Sequence, residues 1–209
     1  MALLANGRII ERIETAPRRH AASLLPMAGA CLGEAGVGLG ALDAVAFGRG
    51  PGSFTGLRIA AGVAQGIAFG AALPVLPVSN LAAGAVAAWR RHGWRRVLVA
   101  FDARMDEVYA AAFELDATGL PRAVSEEALL APDTFALPAG GDWYGAGSAF
   151  AAWPSLPGEL GLAGVDAEVS PMARDLLGPA ATALARGEAV AAEDALPVYL
   201  RERVAWQGK

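Results

Sequence analysis

The hydrophobic positions in the first part of the chain change their period several times. Residues 2–13 place two short apolar runs around Asn6-Gly7, a pair that favours a two-residue turn, and so predict a β-hairpin. Apolar positions at helical spacing then predict a helix over 19–35, which Pro26 should bend or divide in two. In chain order the same patterns predict a buried strand at 43–47, a helix at 54–69, a strand at 75–78 and a helix from its cap Ser79 to about residue 91.

The second part of the chain carries more strand signals than helix signals. In order, the patterns predict a buried strand at 96–101, a turn at 102–106, an alternating strand at 107–113, a hairpin turn at 116–119, short strands at 143–146 and 167–169, a helix at 172–186 and an extended segment at 197–201. This order predicts an α/β chain of two lobes, an N-terminal lobe over 1–93 and a C-terminal lobe over 94–209. Both lobes begin with a hairpin-like pair of strands, which makes them candidates for two versions of one plan.

Composition and charge narrow the functional classes. The 209 residues are 55% hydrophobic and 18% charged, enough to bury a core, and the formal net charge is −4. That charge argues against a protein that grips nucleic acid by itself, since this requires a clustered basic face. The densest basic stretch, residues 89–96, is better interpreted as a solvated helix end.

Targeting signals and cysteine usage indicate where the protein works. The single cysteine, Cys31, excludes an internal disulfide and indicates a reducing compartment. The opening residues lack a basic segment followed by an apolar run, and the longest apolar stretch, 59–76, is interrupted by Gln65 and Pro74. We therefore expect a soluble cytoplasmic protein without a membrane span.

Residues 48–58, GRGPGSFTGLR, look like a phosphate-binding loop but do not fit the known templates. Leu57 and Arg58 stand where a Walker A motif requires lysine and then serine or threonine. The glycine spacing also differs from the dinucleotide fingerprint. A helix N-terminus can still attract an anion. The favoured interpretation is a strand-to-helix turn in which Ser53 or Thr55 caps the helix.

The predicted helix after this loop carries glycines at four-residue intervals, Gly62, Gly66 and Gly70. An interior glycine costs a helix about 0.8–1 kcal/mol relative to alanine. Close approach of another helix along this row of small residues would offset that cost. The row could pack within the fold or against another protein, and the sequence leaves both alternatives open.

The residues offer little catalytic machinery. His20 and His92 lie far apart in the sequence, and neither a histidine pair nor a cysteine cluster has metal-ligand spacing. Asp102 follows a buried strand and is a candidate general base or metal ligand by position. The favoured alternative is a turn in which Asp106 adopts a left-handed conformation and Arg104 pairs with a neighbour.

Four ordered stretches resemble a known family. Residues 48–58, followed by GVAQG at 62–66, closely resemble the signature of the TsaB family, also called YeaZ. The other stretches are Arg19-His20 with LLP at 24–26, DARM at 102–105 with EVY at 107–109, and PVYLR at 197–201. The likeness runs from the first hairpin to about Trp206.

This resemblance implies a fold of the actin/Hsp70/sugar-kinase ATPase type, with two ribonuclease-H-like lobes. It implies a non-catalytic relative of TsaD, the metal-carrying subunit that transfers threonylcarbamoyl to adenosine 37 of tRNA. Members pair with TsaD, or with themselves, through helices of the N-terminal lobe, and a TsaE-type ATPase joins them. By this resemblance the chain binds no cofactor alone and meets tRNA indirectly, and ATP or ADP has a place only at the partner interface.

The resemblance also directs attention to particular residues. We expect the helix over 58–69 and the earlier helix to form the partner contact. The expected contact residues are Leu24, Leu25, Arg58, Ala61, Gly62, Gln65, Gly66 and Phe69. Catalytic and metal-binding residues are not expected on this chain.

Family chains usually begin with one more strand, which ends in an Asp-Thr type motif. The resemblance therefore implies that the first strand of the N-terminal lobe is missing here, and the sequence leaves open whether the true start codon lies upstream of Met1. Two alternatives to a scaffold stay open. One is a stand-alone ATP-binding enzyme of the actin-like class, and the other is a structural homodimer without a tRNA role.

Overall fold

The computed structural model describes residues 1–14 and 20–201. The elements of the first half, in order, are β1 (Ala2–Ala5), β2 (Arg8–Glu11), α1 (His20–Ala35), β3 (Val45–Gly50), α2 (Phe54–Ala71), β4 (Val75–Ser79) and α3 (Asn80–His92). Those of the second half are β5 (Arg96–Arg104), β6 (Glu107–Leu115), β7 (Pro121–Ala123), β8 (Ala128–Leu130), β9 (Tyr144–Ala146), α4 (Ala149–Ala152), α5 (Leu156–Glu159), β10 (Gly164–Asp166) and α6 (Leu177–Ala185). Short 3-10 helices occur at Leu39–Ala41, Pro132–Thr134, Ala173–Leu176 and Ala192–Asp194.

The first hairpin confirms the turn predicted from Asn6-Gly7. Strands β1 and β2 pair in antiparallel register, and both turn residues have positive φ, 51° for Asn6 and 75° for Gly7. Helix α1 then packs beside the hairpin. Of the two alternatives for Pro26, bending or dividing the helix, the second is excluded, because α1 continues through Pro26. Pro26 is exposed, so water can reach the carbonyl that lacks its helical hydrogen bond.

Strands β3 and β4 form a separate parallel pair. Helix α2 connects them and buries Ala61, Ala64 and Ala68 against Phe47 and Val75. The predicted Ser79 cap is confirmed, since its hydroxyl oxygen accepts hydrogen bonds from the first turn of α3. Helix α3 ends at Gly93, whose φ of 72° is the left-handed conformation typical of a helix C-terminus.

The second half is built on one mixed sheet with strand order β10-β9-β5-β6-β7, in which β8 also pairs with β6. Strand β5 is antiparallel to β6 and parallel to β9. Helix α3 packs on one face of this sheet through Leu81, Ala85 and Ala88. Two predicted elements differ in detail: the strand expected at 167–169 lies at 164–166, and the helix expected at 172–186 begins as a 3-10 turn.

The C-terminal part of the chain returns to the first half. Helix α6 packs on β4, where Ala180 joins a cluster with Leu76 and Val78. Ala192 and Ala195 then complete the core around α2. Residues after 93 therefore contribute to the core around β4 and α2. The sequence did not indicate it because these apolar positions look alike whichever sheet they cover.

Candidate partner interface

The glycine-rich loop enters α2 as a capped strand-to-helix turn. The Ser53 hydroxyl oxygen accepts a hydrogen bond from the Gly56 amide at 3.4 Å, so Ser53 is the N-cap. Gly50 has a φ of 119°, and the peptide bond between Gly50 and Pro51 is cis. The cap prediction is confirmed at Ser53 rather than at Thr55.

Other parts of the same chain fill the space beside this loop. The Asn80 side-chain amide donates to the Pro51 carbonyl at 3.0 Å, and the Val198 amide donates to the Arg49 carbonyl at 2.7 Å. A Cβ added to Gly50 would lie 2.6 Å from the Val198 carbonyl oxygen. The glycines therefore allow close approach of the chain's own residues.

Both arginines of the loop motif are engaged by side chains. Arg49 forms an ion pair with Glu127 at 3.1 Å. The Arg58 guanidinium lies 3.8 Å from the centre of the Phe54 ring and donates to the Tyr199 hydroxyl at 3.1 Å. Neither arginine stands free to receive a phosphate, unlike the lysine of a Walker A motif.

Helix α2 divides into a buried face and an exposed face. Leu57, Ala61, Ala64 and Ala68 are buried against β3 and β4. The opposite face exposes Arg58, Gly62, Gly66 and Phe69, and the Phe69 side chain is 81% exposed. These four predicted contact residues therefore share one accessible surface, which we call the α2 face.

Two of the predicted contact residues do not belong to the α2 face. Ala61 is only 4% exposed and packs in the core, because it lies on the side of the helix that meets the sheet. Gln65 is half-buried, and its side-chain amide donates to the Ala195 carbonyl at 3.3 Å. The helical period places both beside the glycines in sequence but turns them toward the chain's own C-terminal segment.

The row of glycines on the α2 face has no neighbour among the described residues. A Cβ added at Gly62, Gly66 or Gly70 would meet nothing within 4 Å. Of the two alternatives that the sequence left open, packing within the fold is therefore excluded for the part of the chain that the structure describes. Within this described part, no close helix packs along the glycine row to offset the cost of the interior glycines in α2.

Helix α1 packs next to α2 and contributes a second exposed apolar group. Leu25 is 58% exposed, whereas Leu24 is half-buried. The Arg19 of the proposed motif lies outside the described residues, as does Trp206 at the end of the family likeness. The side chain of His20 is likewise not described.

The sequence did not single out Phe54 or Tyr199 as contact residues. Their rings lie 5.5 Å apart between centroids, at one end of the α2 face, with Arg58 beside both. Both aromatic side chains are partly exposed. Aromatic residues and arginine are enriched at interface hot spots. The only sequence signal for Tyr199 was its place in the motif at 197–201.

The basic stretch at residues 89–96 is paired rather than simply solvated. Arg90 binds the buried Asp175 through two hydrogen bonds of 2.8 and 3.1 Å, which raise the pKa of Arg90. Arg91 and His92 both reach Asp166, and Arg96 pairs with Glu114. The pairing leaves little uncompensated positive charge for a nucleic acid backbone.

Asp166 sits at the centre of that pairing, with its side chain mostly buried. Burial by itself raises the pKa of Asp166. This effect is outweighed by three groups that lower the pKa: the hydrogen bond with His92 Nε2 at 2.7 Å, the Glu168 amide and the charge of Arg91. The net pKa lies below the ordinary value for aspartate. Asp166 therefore stays ionised at neutral pH and holds the end of α3 to β10.

The carboxylates near residue 102 form a turn. Asp102 accepts a hydrogen bond from the Arg104 amide at 2.7 Å and pairs with the Arg104 guanidinium at 3.2 Å. Arg104, Met105 and Asp106 all have positive φ. The turn interpretation is therefore confirmed. Among the described residues, no three His, Cys, Asp or Glu side chains gather as a metal site.

Comparisons with known proteins connect this chain to a family. Residues 9–145 match the family model described as "TsaD: tRNA N6-adenosine threonylcarbamoyltransferase". The chain is also 44% identical, over 99% of its length and 91% of the relative's, to the Escherichia coli K12 protein named "tRNA threonylcarbamoyladenosine biosynthesis protein TsaB". The chain belongs to the TsaB family. The resemblance found in the four sequence motifs is thereby confirmed.

Solved structures of TsaB (YeaZ) proteins share the fold. The structure described as "YeaZ from Pseudomonas aeruginosa" superposes with a TM-score of 0.89 at 50% identity, covering 95% of this chain and 92% of that one. A second structure from Pseudomonas aeruginosa, described as similar to peptidase YEAZ, has a TM-score of 0.89 at 51% identity and covers 96% and 93% of the two chains. The α/β fold with mixed sheets is therefore that of YeaZ. No helix among the described residues is long and apolar enough to cross a membrane.

Proposed function

We propose that this chain is a non-catalytic scaffold in the biosynthesis of threonylcarbamoyladenosine in tRNA, and that it binds a TsaD-type transferase through the α2 face. The observation that carries the proposal is the row Gly62, Gly66 and Gly70, which is exposed and has open space at every Cβ position. Helices packing along small residues approach closely and bury the apolar groups beside them. Such packing would offset the cost of the glycines.

The neighbours of the glycine row fit a protein partner better than a small ligand. Phe69 stands at one end of α2, and the cluster of Phe54, Arg58 and Tyr199 stands at the other. Leu25 extends the apolar area onto α1. This combination of exposed aromatic, aliphatic and arginine groups has the chemistry of an interface core.

The choice of a TsaD-type partner rests on shared architecture and on the names of the relatives. This chain matches the transferase family model over 9–145, and its full-length relative is named for threonylcarbamoyladenosine biosynthesis. Related folds can pair through equivalent helices, so we expect the same surface to form a homodimer when the partner is absent. Recruitment of a TsaE-type ATPase, indirect contact with tRNA, a cytoplasmic location and ATP or ADP at the partner interface are further parts of the proposal.

The scaffold role also accounts for the glycine-rich loop. Asn80 and Val198 occupy the space beside it, and its arginines bind Glu127 and the aromatic cluster. In this proposal the loop positions α2 and takes no part in chemistry. The two-lobed, ribonuclease-H-like plan implied by the family belongs to the same proposal.

Leucine substitutions in the glycine row test the interface. Gly62→Leu or Gly66→Leu should leave the monomer folded, and slightly more stable, because leucine favours the helix and the space is open. Either change should weaken binding to a TsaD-type chain at least about 100-fold, since its side chain would hold the two helices apart. Isothermal calorimetry with the purified partner measures the affinity.

A matched control is available on another helix. Gly178 in α6 is also an exposed helical glycine with open space, so Gly178→Leu should leave binding unchanged. Undiminished binding by both the Gly62 and the Gly66 variants would refute the placement of the interface. Tight ATP binding and turnover by the purified chain without partners would instead favour a stand-alone enzyme. Failure to restore the modified nucleoside in cells depleted of their own protein would favour a structural homodimer.

A further inference from the structure

The turn between β5 and β6 presents a methionine to solvent. Met105 is 56% exposed, the most exposed of the four methionines in the sequence. Arg104, Met105 and Asp106 have left-handed backbone conformations, with φ between 57° and 63°, and all three residues are exposed. A thioether in this position is accessible to small oxidants dissolved in water.

Hydrogen bonds to its backbone hold the turn in shape. The Asp102 carboxylate accepts from the Arg104 amide at 2.7 Å, and the Ser148 hydroxyl oxygen accepts from the Asp102 amide at 3.0 Å. Residues other than glycine rarely adopt left-handed conformations in succession, and such conformations persist where the surroundings fix them. The backbone of Met105 is therefore held in one place relative to its neighbours.

The neighbour of the Met105 sulfur is Arg201, whose side chain is only 16% exposed. Its Nη1 pairs with the Glu107 carboxylate and lies 3.6 Å from the Met105 Sδ. Its Nη2 donates to the carbonyls of Ala103 at 3.1 Å and Arg104 at 3.4 Å. One arginine from the C-terminal part of the chain is thus attached to the turn through both of its terminal nitrogens.

The acceptors around Arg201 differ in strength. Carboxylates and carbonyls are strong acceptors for a guanidinium, whereas a thioether sulfur is a weak one. The contact with Met105 is therefore the weakest part of this attachment. It is also the part that an oxidant can change, because a thioether is oxidised far more readily than a carboxylate or an amide.

Oxidation converts the sulfur into a strong acceptor. The sulfur lone pair attacks one oxygen of hydrogen peroxide, the O–O bond breaks, and the leaving hydroxide takes the proton of the transferred hydroxyl to become water. Sulfur loses two electrons and peroxide gains two, and the products are methionine sulfoxide and water. The new oxygen is one bond from Sδ on a flexible side chain, and so comes within hydrogen-bond reach of Arg201 Nη1.

We propose that Met105 is a site of reversible oxidation and that Arg201 binds the sulfoxide oxygen, which fixes the C-terminal segment 196–201 on the turn. Oxidation of a buried methionine disrupts a core, but Met105 is exposed, so its oxidation leaves the core packing intact. The same segment places Tyr199 beside Arg58 at one end of the α2 face. The redox state of Met105 thus sets how firmly that end of the face is held.

Amide hydrogen exchange before and after treatment with hydrogen peroxide tests the proposal. Peptide mass spectrometry should find Met105 oxidised at least as fast as Met172, which is 41% exposed. The Val198 amide, which donates to the Arg49 carbonyl at 2.7 Å, should then exchange about 5–10-fold more slowly, because the segment opens less often. Methionine sulfoxide reductases should restore the original rate.

Three variants separate the sulfoxide from other effects of peroxide. Met105→Leu is the matched control, since it keeps an apolar side chain and the other methionines, and peroxide should leave its Val198 exchange unchanged. Met105→Gln carries an amide oxygen near the position of the sulfoxide oxygen and should slow the exchange without peroxide. Arg201→Gln should lose the response to peroxide, because the cation that binds the sulfoxide is gone.

Four results would overturn the proposal: oxidation of Met105 slower than that of Met172, Val198 exchange that is unchanged or faster after Met105 is oxidised, the same slowing in Met105→Leu, or slowing that persists in Arg201→Gln. All of these measurements use the chain alone and involve neither a partner nor tRNA. A failure here is therefore distinguishable from a failure of the proposed function.

Discussion

Two structural features favour glycine at position 50: a positive φ and the close approach of the Val198 backbone. Its φ of 119° is rare for residues with a Cβ, and an added Cβ would lie 2.6 Å from the Val198 carbonyl oxygen. Gly52, two residues later, has an ordinary φ, and its nearest neighbour would be the flexible end of Asn80 at 3.4 Å. The two glycines look equivalent in the sequence but differ in the structure.

We expect Gly50→Ala to lower the free energy of unfolding by about 2–4 kcal/mol, because strain and a backbone clash act together. Gly52→Ala is the matched control and should change it by less than about 0.5 kcal/mol. Urea unfolding followed by circular dichroism measures both. Equal effects at the two positions would contradict the contact between Gly50 and Val198.

Asp166 makes the free energy of unfolding depend on pH in the acid range. Its pKa is lower in the folded chain than in the unfolded chain, so the stabilisation that it contributes is fully present above the usual aspartate pKa of about 3.9. That stabilisation is lost as the pH falls through the lower, folded pKa. Asp166→Asn should therefore be less stable than the parent chain at pH 7, with a difference that shrinks toward pH 2–3.

Chemical unfolding at a series of pH values measures this difference. His92→Ala should reproduce part of it, because His92 provides a hydrogen bond that lowers the pKa of Asp166. A gap between parent and Asp166→Asn that stays constant from pH 7 to pH 3 would show that the carboxylate charge contributes nothing.

Residue contacts across long sequence distances were the part that the sequence could not predict. Tyr199 and Arg58 are far apart along the chain, and no local pattern joins them. By contrast, the turn at Asn6-Gly7 and the caps at Ser53 and Ser79 were predictable, since each depends on neighbouring residues only. The burial of Ala61, one of the predicted contact residues, was not predictable either, because sequence spacing alone did not show which side of α2 meets the sheet.

At the scale of elements, α3 is fixed at its C-terminal end by charge. Arg90 binds Asp175, which is only 1% exposed and also accepts a hydrogen bond from the Met172 amide at 2.9 Å. This pair joins α3 to the 3-10 turn that precedes α6. Basic residues in the last turn of a helix also complement its dipole.

Arg90→Ala should destabilise the protein by about 2–3 kcal/mol, because it leaves a buried carboxylate without its partner. The figure stays below that for a fully buried pair since Arg90 is about one-third exposed. Arg95→Ala is the control, because Arg95 is exposed on the same stretch, and we expect a change below about 0.5 kcal/mol. Thermal unfolding of the two variants decides between a structural pair and a solvated helix end.

At the scale of the whole molecule, alternating helices and strands were enough to predict an α/β chain. The path of the chain through the fold was not predictable in this way. The order of β3, α2, β4 and α3 followed from periodicity. Periodicity did not predict that α6 and the 3-10 turn at Ala192–Asp194 pack on the first half. Short apolar segments have the same pattern whichever sheet they cover. The same holds for the separation of β1–β2 from β3–β4, which appears only in three dimensions.

The hydrogen bond between Val198 and Arg49 also has a consequence for timing. The ribosome makes Val198 about 150 residues after it makes the loop before α2. At a synthesis rate of roughly 5–20 residues per second, the segment that packs beside the start of α2 is made on the order of ten to thirty seconds after the helix. The surface that we assign to a partner is therefore completed only after Val198 has been synthesised, and binding of the partner should follow that point in translation rather than precede it.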